Sequence, residues 1–404
     1  MNILIITPYL PYPLSSGGAQ AVFNMVDNLR SQHNYTMIIN EGGQNNAMNR
    51  EALKKLWPNV DIIYYPFTKQ LLSPSFVYEK TRRVILRKCF PNKRFFKVES
   101  ILRPYGEWFS AHHISFIHTL IAKKHIDMVQ VEFMESIQWI HYLPINIKKI
   151  FVHHELGFVR KERLLSSFTL TEREQKMLGN VKRMELEALN KYDAVITVTD
   201  IDKNILKKEG IERPIYTSNL AVNTKSFPYS VKHGELTFVG GHGHYPNKEG
   251  IDWFETKVAP LLKDKKIKLN LIGTNWPAEY ERDTNIEIEL KGFVKDLSDI
   301  ALGNIMIVPI LSGSGMRMKI LEAAAMSMPI LTTSVGVEGL EFKNNESCII
   351  EDTPEGWASA IMRLNSDPDF RKLLGVNANR IFKEKYSPAV LADKRNEIYK
   401  KICD

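Results

Sequence analysis

The chain has 404 residues, of which 44% are hydrophobic and 25% charged, a globular composition that excludes a disordered or fibrous protein and suits two domains of ordinary size. Its three cysteines, Cys89, Cys348 and Cys403, form no CxxC or paired spacing, which argues against a disulfide framework or a zinc site and points to a reducing, cytoplasmic setting. The net charge of +8 is unevenly placed: residues 69–124 hold 12 Lys/Arg against three Glu and no Asp, leaving the remainder about neutral.

In chain order, residues 3–7 read as a first buried strand. The N-terminal segment lacks a basic n-region, and its apolar run is too short for a signal peptide or a membrane span. Ser15, Ser16, Gly17 and Gly18 form a small-residue loop, followed by a helix over 21–29 with Val22, Met25, Val26 and Leu29 on one face. The basic stretch 69–124 carries Phe76, Tyr78, Phe90, Phe95, Phe96, Tyr105, Trp108, Phe109 and Phe116 among its charges. Three readings stand for it: an anionic membrane surface at the inner face of the membrane, an anionic acceptor, or an amphipathic helical region with a solvated basic face. No nucleic-acid-binding motif accompanies it, and no nucleic-acid partner is expected.

Short apolar runs at 128–131, 150–152 and 194–198 read as further parallel strands separated by helical patterns. The same grammar restarts at 236–239, with the loop Gly240, Gly241, His242, Gly243, a helix over 250–258, and strands at 268–272 and 305–308. This repeated strand, loop and helix pattern predicts an α/β protein of two Rossmann-like domains. The expected division is 1–213, a linker at 214–233 rich in Pro and Asn, 234–386, and a final helix in 387–404 packing back on the first domain.

Residues 304–326 are the most informative segment. They read as a strand, the loop Ser312, Gly313, Ser314, Gly315, Met316, and a helix carrying Arg317, Lys319 and Glu322. The glycines let the backbone approach a ligand, and the free amides at the helix start favour an anion. Arg317 and Lys319, expected in the first helical turn, are cations where the helix dipole disfavours them; a bound diphosphate compensates both. Glu322 shares a face with Lys319 and can accept hydroxyls beside the phosphates.

At this point the sequence resembles glycosyltransferase family 4, the large retaining family of the GT-B fold, in its polysaccharide-biosynthesis type. The motif Glu322, Ala323, Ala324, Ala325, Met326 resembles the segment that holds the nucleotide ribose in that family, and residues 327–332 and 335–340 continue the match. The family pattern has a second glutamate eight residues earlier, where this chain has Ser314. A subgroup with a Gly-rich basic loop is similar to 312–319. Of the family's arginine and lysine after the first strand of the second half, only Lys248 is matched, with Gly241 or His242 in the arginine's neighbourhood; Lys248 also reads as a solvated helix-start residue. Gly292 and Phe293 resemble the turn whose backbone pairs with the donor base.

On the first-domain side, Gly17 and Gly18 resemble the family's first loop, which approaches donor phosphate or acceptor; a plain tight turn is the alternative. The loop is not GxGxxG, which weakens a dehydrogenase reading. His153 and His154 end a predicted strand where ligands bind in doubly wound sheets, and the resemblance favours His154 as a group near the transferred sugar, with His153 packing inward. Glu132 resembles a subgroup position that either orients the acceptor hydroxyl or forms a structural ion pair. No metal-ligand spacing appears, so neither metal nor cofactor is expected beyond the nucleotide-sugar donor substrate. The resemblance implies two domains facing across a cleft and retaining transfer of a hexosyl-type group to a glycan or lipid-linked glycan in surface-polysaccharide assembly. An epimerase of the same architecture, or a non-catalytic sugar-nucleotide-binding protein, are the competing readings.

Overall fold

The computed structural model describes residues 1–14, 17–40, 46–65, 81, 84, 94–104, 109–222, 224–230, 235–282, 285–313 and 316–403. The chain divides into two compact units, Met1–Ser218 with Lys394–Asp404, and Asn219–Asp393.

The first unit is built on seven parallel strands: β1 (Asn2–Thr7), β2 (Asn34–Asn40), β3 (Asp61–Tyr65), β4 (Met128–Glu132), β5 (Lys148–His153), β6 (Ala194–Thr197) and β7 (Ile215–Thr217). Their order in the sheet is β3-β2-β1-β4-β5-β6-β7. The central strands are apolar on both faces because helices cover both, so they read as continuous runs without alternation. Ile3, Leu4 and Ile5 of β1 and Ile150 and Phe151 of β5 have no exposed surface. Register places Ile6 beside Val131 and Glu132 beside Val152, so the C-terminal ends of β1, β4 and β5 lie at one edge of the sheet.

Helix Gly17–Leu29 follows β1. Gly17 and Gly18 therefore belong to its first turn and not to the loop expected from their composition; Ser15 and Ser16 lie outside the described residues. Much of 69–124 also lies outside them. Of the part described, helix Arg94–Ile101 leads into Leu102, and Val98 and Leu102 pack against Leu165. In helix Ala111–Lys123, Ile117 and Leu120 are buried, and Phe109 and Phe116 pack against the main core. These two aromatics thus serve the core and not an exposed aromatic surface.

The last residues of the chain are tied into this unit. In helix Pro388–Cys403, Arg395 donates to the Ser218 hydroxyl at 2.8 Å, and Tyr399, which has no exposed surface, donates to Gln130 Oε1 at 2.6 Å.

The second unit carries six parallel strands: β8 (Leu236–Val239), β9 (Lys268–Ile272), β10 (Glu287–Gly292), β11 (Ile305–Val308), β12 (Ile330–Thr332) and β13 (Ile349–Ile350), in the order β10-β9-β8-β11-β12-β13. The helix after β8 starts earlier than its apolar pattern indicates. It runs Tyr245–Trp253, with Pro246 in its first turn, and continues into a π-helical turn at Phe254–Val258. Proline is preorganised for that position. Gly250 is required there by proximity: a Cβ on it would lie 2.0 Å from the Pro309 carbonyl oxygen. This contact seats the helix on the end of β11. Among the described residues no helix is long and apolar enough to cross a membrane.

Candidate active site

In the second unit the strand order reverses direction between β8 and β11. The loops leaving the C-terminal ends of those two strands flank a topological switch point, the place where open parallel sheets bind ligands. The first loop is 240–244 and the second 309–317.

The second loop folds against the start of helix Tyr245–Trp253. Gly313 has φ of 99°, in the region that favours glycine, and a Cβ there would lie 3.3 Å from Pro246 Cγ and 3.6 Å from Arg317 Nη2. Ser314 and Gly315 lie outside the described residues. Met316 is buried. Helix Met318–Ala325 begins one residue after Arg317, which is its N-cap with φ −90° and ψ 89°. Arg317 therefore stands ahead of the helix, not within its first turn as the sequence pattern indicated. Lys319 does lie in that turn.

The Lys319 ammonium donates to Asn247 Oδ1 at 2.8 Å and sits 4.0 Å from the centroid of the Phe238 ring. Asn247 in turn donates from Nδ2 to the Gly241 carbonyl at 3.0 Å. Lys319 as a whole is only partly buried, but burial of its head group, then the nearby Arg317 guanidinium, bring its pKa down to about 7; the Glu322 carboxylate opposes both. Two cations and one carboxylate are thus held within electrostatic reach of each other at the switch point. A second anion beside Arg317 and Lys319 would restore the charged form of the lysine.

Ser312 donates its hydroxyl to Glu249, and Tyr245 donates to the other oxygen of the same carboxylate at 3.0 Å. Lys248 is paired with Asp252 one turn along its own helix, with nearly half of its side chain exposed, and the Tyr280 hydroxyl donates to the same Asp252. The described contacts join Gly241, Asn247 and Lys319; they place Lys248 with Asp252. Gly292, with φ of 63°, ends β10, its carbonyl accepts from the Gly273 amide at 2.8 Å, and Phe293 beside it is exposed.

In the first unit, the strand order reverses between β1 and β4. Glu132, at the end of β4, is 1% exposed. Its two oxygens accept from Gln130 Nε2 and, at 2.6 Å, from His154 Nε2. His154 stacks on Phe133, with centroids 4.1 Å apart and planes 12° from parallel. Phe133 has φ of 65°, an uncommon conformation for a bulky residue. Its ring also meets Tyr9 edge-on at 5.2 Å, and a Cβ on Gly18 would lie 3.0 Å from it. Gly18 is thus a close-approach position beneath the stack.

The two candidate histidines separate sharply. His153 is fully enclosed and its Nε2 pairs with Glu185 at 3.0 Å, while the Glu185 carboxylate also accepts the amides of Gly157 and Phe158 at the start of helix Gly157–Leu165. This is a helix-anchoring arrangement without access to a substrate. His154 retains 11% of its side-chain surface, and with Nε2 committed to a carboxylate the other ring nitrogen is left as an acceptor. Among the described residues no group of three or more His, Cys, Asp or Glu is arranged to hold a metal ion.

With both sites described, comparison with known proteins gives a family match within the second unit. Residues 233–367 match the family model of glycosyl transferases group 1. All of the candidate donor residues of the second unit fall within that span. The fold of the whole chain is GT-B: it resembles sucrose-phosphate synthase from Thermosynechococcus elongatus with a TM-score of 0.69 at 16% identity, covering 99% of this chain and 98% of that one. HepE from Anabaena, in complex with UDP and glucose, gives a TM-score of 0.67 at 9% identity over 98% and 99% of the two chains. The pneumococcal O-GlcNAc transferase GtfA, in complex with UDP and GlcNAc, gives 0.65 at 12% identity over 100% and 99%. Among curated sequences, an uncharacterized 44.6 kDa protein in the cps region of Klebsiella pneumoniae is 25% identical over 177 residues. That match spans 39% of this chain and 44% of the relative, less than half of either.

The GT-B frame also exposes what sequence reasoning left out. Asn247 and Glu249 flank Lys248, yet they make the contacts to Lys319 and Ser312. Their signal was a helix start that could be read only once Pro246 was placed at the first turn. Phe133, Gln130 and Glu185 gave no local signal, because their roles depend on partners 21, 269 and 32 positions away.

Proposed function

We propose that this chain is a retaining glycosyltransferase that moves a hexosyl-type group from a nucleotide diphosphate sugar to a glycan or lipid-linked glycan in surface-polysaccharide biosynthesis. The observation that carries the reading is the convergence of Arg317, Lys319 and Glu322 at the β8/β11 switch point, with Lys319 held by Asn247.

In this reading Arg317, Lys319 and the first amides of helix Met318–Ala325 receive the diphosphate, Glu322 accepts the ribose hydroxyls, and Gly292 and Phe293 border the base. Departure of the nucleoside diphosphate concentrates negative charge on the phosphates. Fixed cations and amides that need no reorganisation stabilise that charge as it forms. His154 contacts the transferred sugar, Glu132 holds its ring, and the leaving phosphate takes the acceptor proton. The chain supplies positioning and charge, with no cofactor other than the donor.

UDP is the first nucleotide to test, since HepE and GtfA were solved with it. The location of the curated relative in a cps region accords with a polysaccharide acceptor, and the basic stretch 69–124 suits an anionic acceptor or the inner face of a membrane. The test is a thermal-shift screen of UDP-, GDP-, ADP- and dTDP-sugars followed by a donor hydrolysis and transfer assay. Stabilisation by at least one sugar nucleotide is expected; none stabilising the protein would remove the reading.

A further inference from the structure

Within the first unit, a line of buried hydrogen bonds runs from the end of the last helix to the candidate sugar-contacting histidine. The Tyr399 hydroxyl donates to Gln130 Oε1 at 2.6 Å, Gln130 Nε2 donates to Glu132 Oε1, and Glu132 Oε2 accepts from His154 Nε2 at 2.6 Å. Tyr399 and Gln130 have no exposed surface and Glu132 has 1%. None of the three side chains can reach a substrate.

Each link constrains the next. A tyrosine hydroxyl donating to the amide oxygen fixes which end of Gln130 faces Glu132. The amide nitrogen then satisfies one carboxylate oxygen and leaves the other for the histidine. A buried carboxylate without these donors would carry a large desolvation cost. The carboxylate in turn places the proton on Nε2 of His154, so that Nδ1 is the acceptor. The ring plane is set by the stack on Phe133.

We infer that Tyr399 and Gln130 are positioning residues that act through Glu132 to set the tautomer and proton affinity of His154. The inference rests on the reading of His154 as the group beside the transferred sugar. The last helix thereby has a part in the chemistry of the first unit beyond completing its core. The other charged and titratable groups around this line are Arg395, 5.8 Å from the Tyr399 ring centroid, His33, edge-on to the same ring at 5.6 Å, Tyr35, Glu135, which accepts the Tyr9 hydroxyl at 2.6 Å, and Glu155, paired with Arg160; all are left in place by the variants below.

The experiment is ¹⁵N NMR of the His154 imidazole across pH in the full chain, with Gln130→Leu and Tyr399→Phe beside the unaltered protein, and transfer kinetics on the same samples. In the unaltered protein the neutral ring is expected as the Nε2–H tautomer. Gln130→Leu deprives the carboxylate of its other donor, so it holds the imidazolium more tightly and the His154 titration moves upward by roughly half a pH unit or more. Tyr399→Phe moves it the same way by less. Transfer kcat falls on the order of 10-fold in Gln130→Leu, with the donor KM within about twofold. A lowered melting temperature with an unmoved His154 titration in both variants would overturn the inference, because packing alone would then account for them. A shifted titration with unchanged transfer would leave the positioning relationship standing and count against His154 as the sugar contact, so the two failures are distinguishable.

Discussion

Lys319 donates to Asn247 at 2.8 Å, and Asn247 donates to the Gly241 carbonyl at 3.0 Å. One lysine therefore ties the helix that follows the β11 loop to the loop after β8, beside the switch point of the second unit. The anchoring asparagine orients the ammonium without neutralising it, and the Phe238 ring beneath it adds a cation–π contact. The site is set for an anion to complete the charge balance.

The first expectation concerns pH. With a pKa brought down to about 7, Lys319 is largely neutral in the unliganded protein above that pH and charged when a diphosphate lies beside it. Binding then takes up a proton, so donor affinity weakens as pH rises above about 7, by up to about tenfold per unit. Below pH 7 this group contributes no further change. Isothermal titration of UDP from pH 6 to 9, in buffers of different ionisation enthalpy, measures both the slope and the proton. Lys319→Met should abolish both.

The same shift has a consequence for folding. The unfolded lysine binds its proton more tightly than the folded one, so the stability contribution of this group rises with pH from about 7 towards the ordinary lysine range. The penalty is complete below pH 7. Lys319→Met should therefore raise the melting temperature of the unliganded protein, and by more at pH 6 than at pH 10.

Arg317 and Glu322 should separate phosphate from ribose recognition. Loss of charge-assisted hydrogen bonds costs about 1.5–3 kcal/mol, so Arg317→Ala is expected to weaken both UDP and pyrophosphate roughly 10- to 100-fold. Glu322→Ala should weaken UDP while leaving pyrophosphate unchanged. Competition binding with the two ligands reads the difference directly.

The two adjacent histidines should give opposite phenotypes. His153→Ala leaves the buried Glu185 without one of its partners and is expected to cost roughly 3 kcal/mol of stability, with normal transfer per folded molecule. His154→Asn should keep donor binding and lower transfer by about 100-fold or more. Denaturant melts and turnover per active site distinguish them.

Gly250 tests the seating of the donor helix. A Cβ there meets backbone at 2.0 Å, so Gly250→Ala must displace the helix from Pro309 and is expected to cost roughly 1–3 kcal/mol. Because Asn247 and Glu249 ride on that helix, UDP affinity should fall with it, as titration of the folded variant will show.

Much of the fold was legible because parallel strands buried on both faces leave continuous apolar runs. Residues 3–7, 128–131, 150–152, 236–239, 268–272 and 305–308 all became central strands of the two sheets. Strand β2 and the edge strands β3 and β7 were missed. Asn34 and Asn40 bound the apolar run of β2, and Asp61 and two tyrosines break that of β3, where an edge needs no apolar face on both sides. Helix starts were displaced for a local reason: glycine at 17 and 18 and proline at 246 read as loop punctuation, yet each sits in a first turn, where both residues are tolerated.

The donor constellation at 317–322 was legible because it lies on one loop and one helix. The identity of the residues that hold it was not, since Asn247 reaches Lys319 across 72 positions. The same holds for the histidine pair. Strand alternation indicates only that one of His153 and His154 points inward; the family resemblance favoured His153, and its partner Glu185, on helix Glu172–Leu189, was not legible.

The most direct test of the account is the binding of sugar nucleotides to the unaltered protein and to an Arg317→Ala, Glu322→Ala double variant, followed by donor turnover with a glycan acceptor. The account predicts saturable binding of at least one nucleotide sugar, its loss in the double variant at an unchanged fold by circular dichroism, and transfer of the sugar to acceptor by the unaltered protein. Equal binding and turnover by the double variant would contradict it.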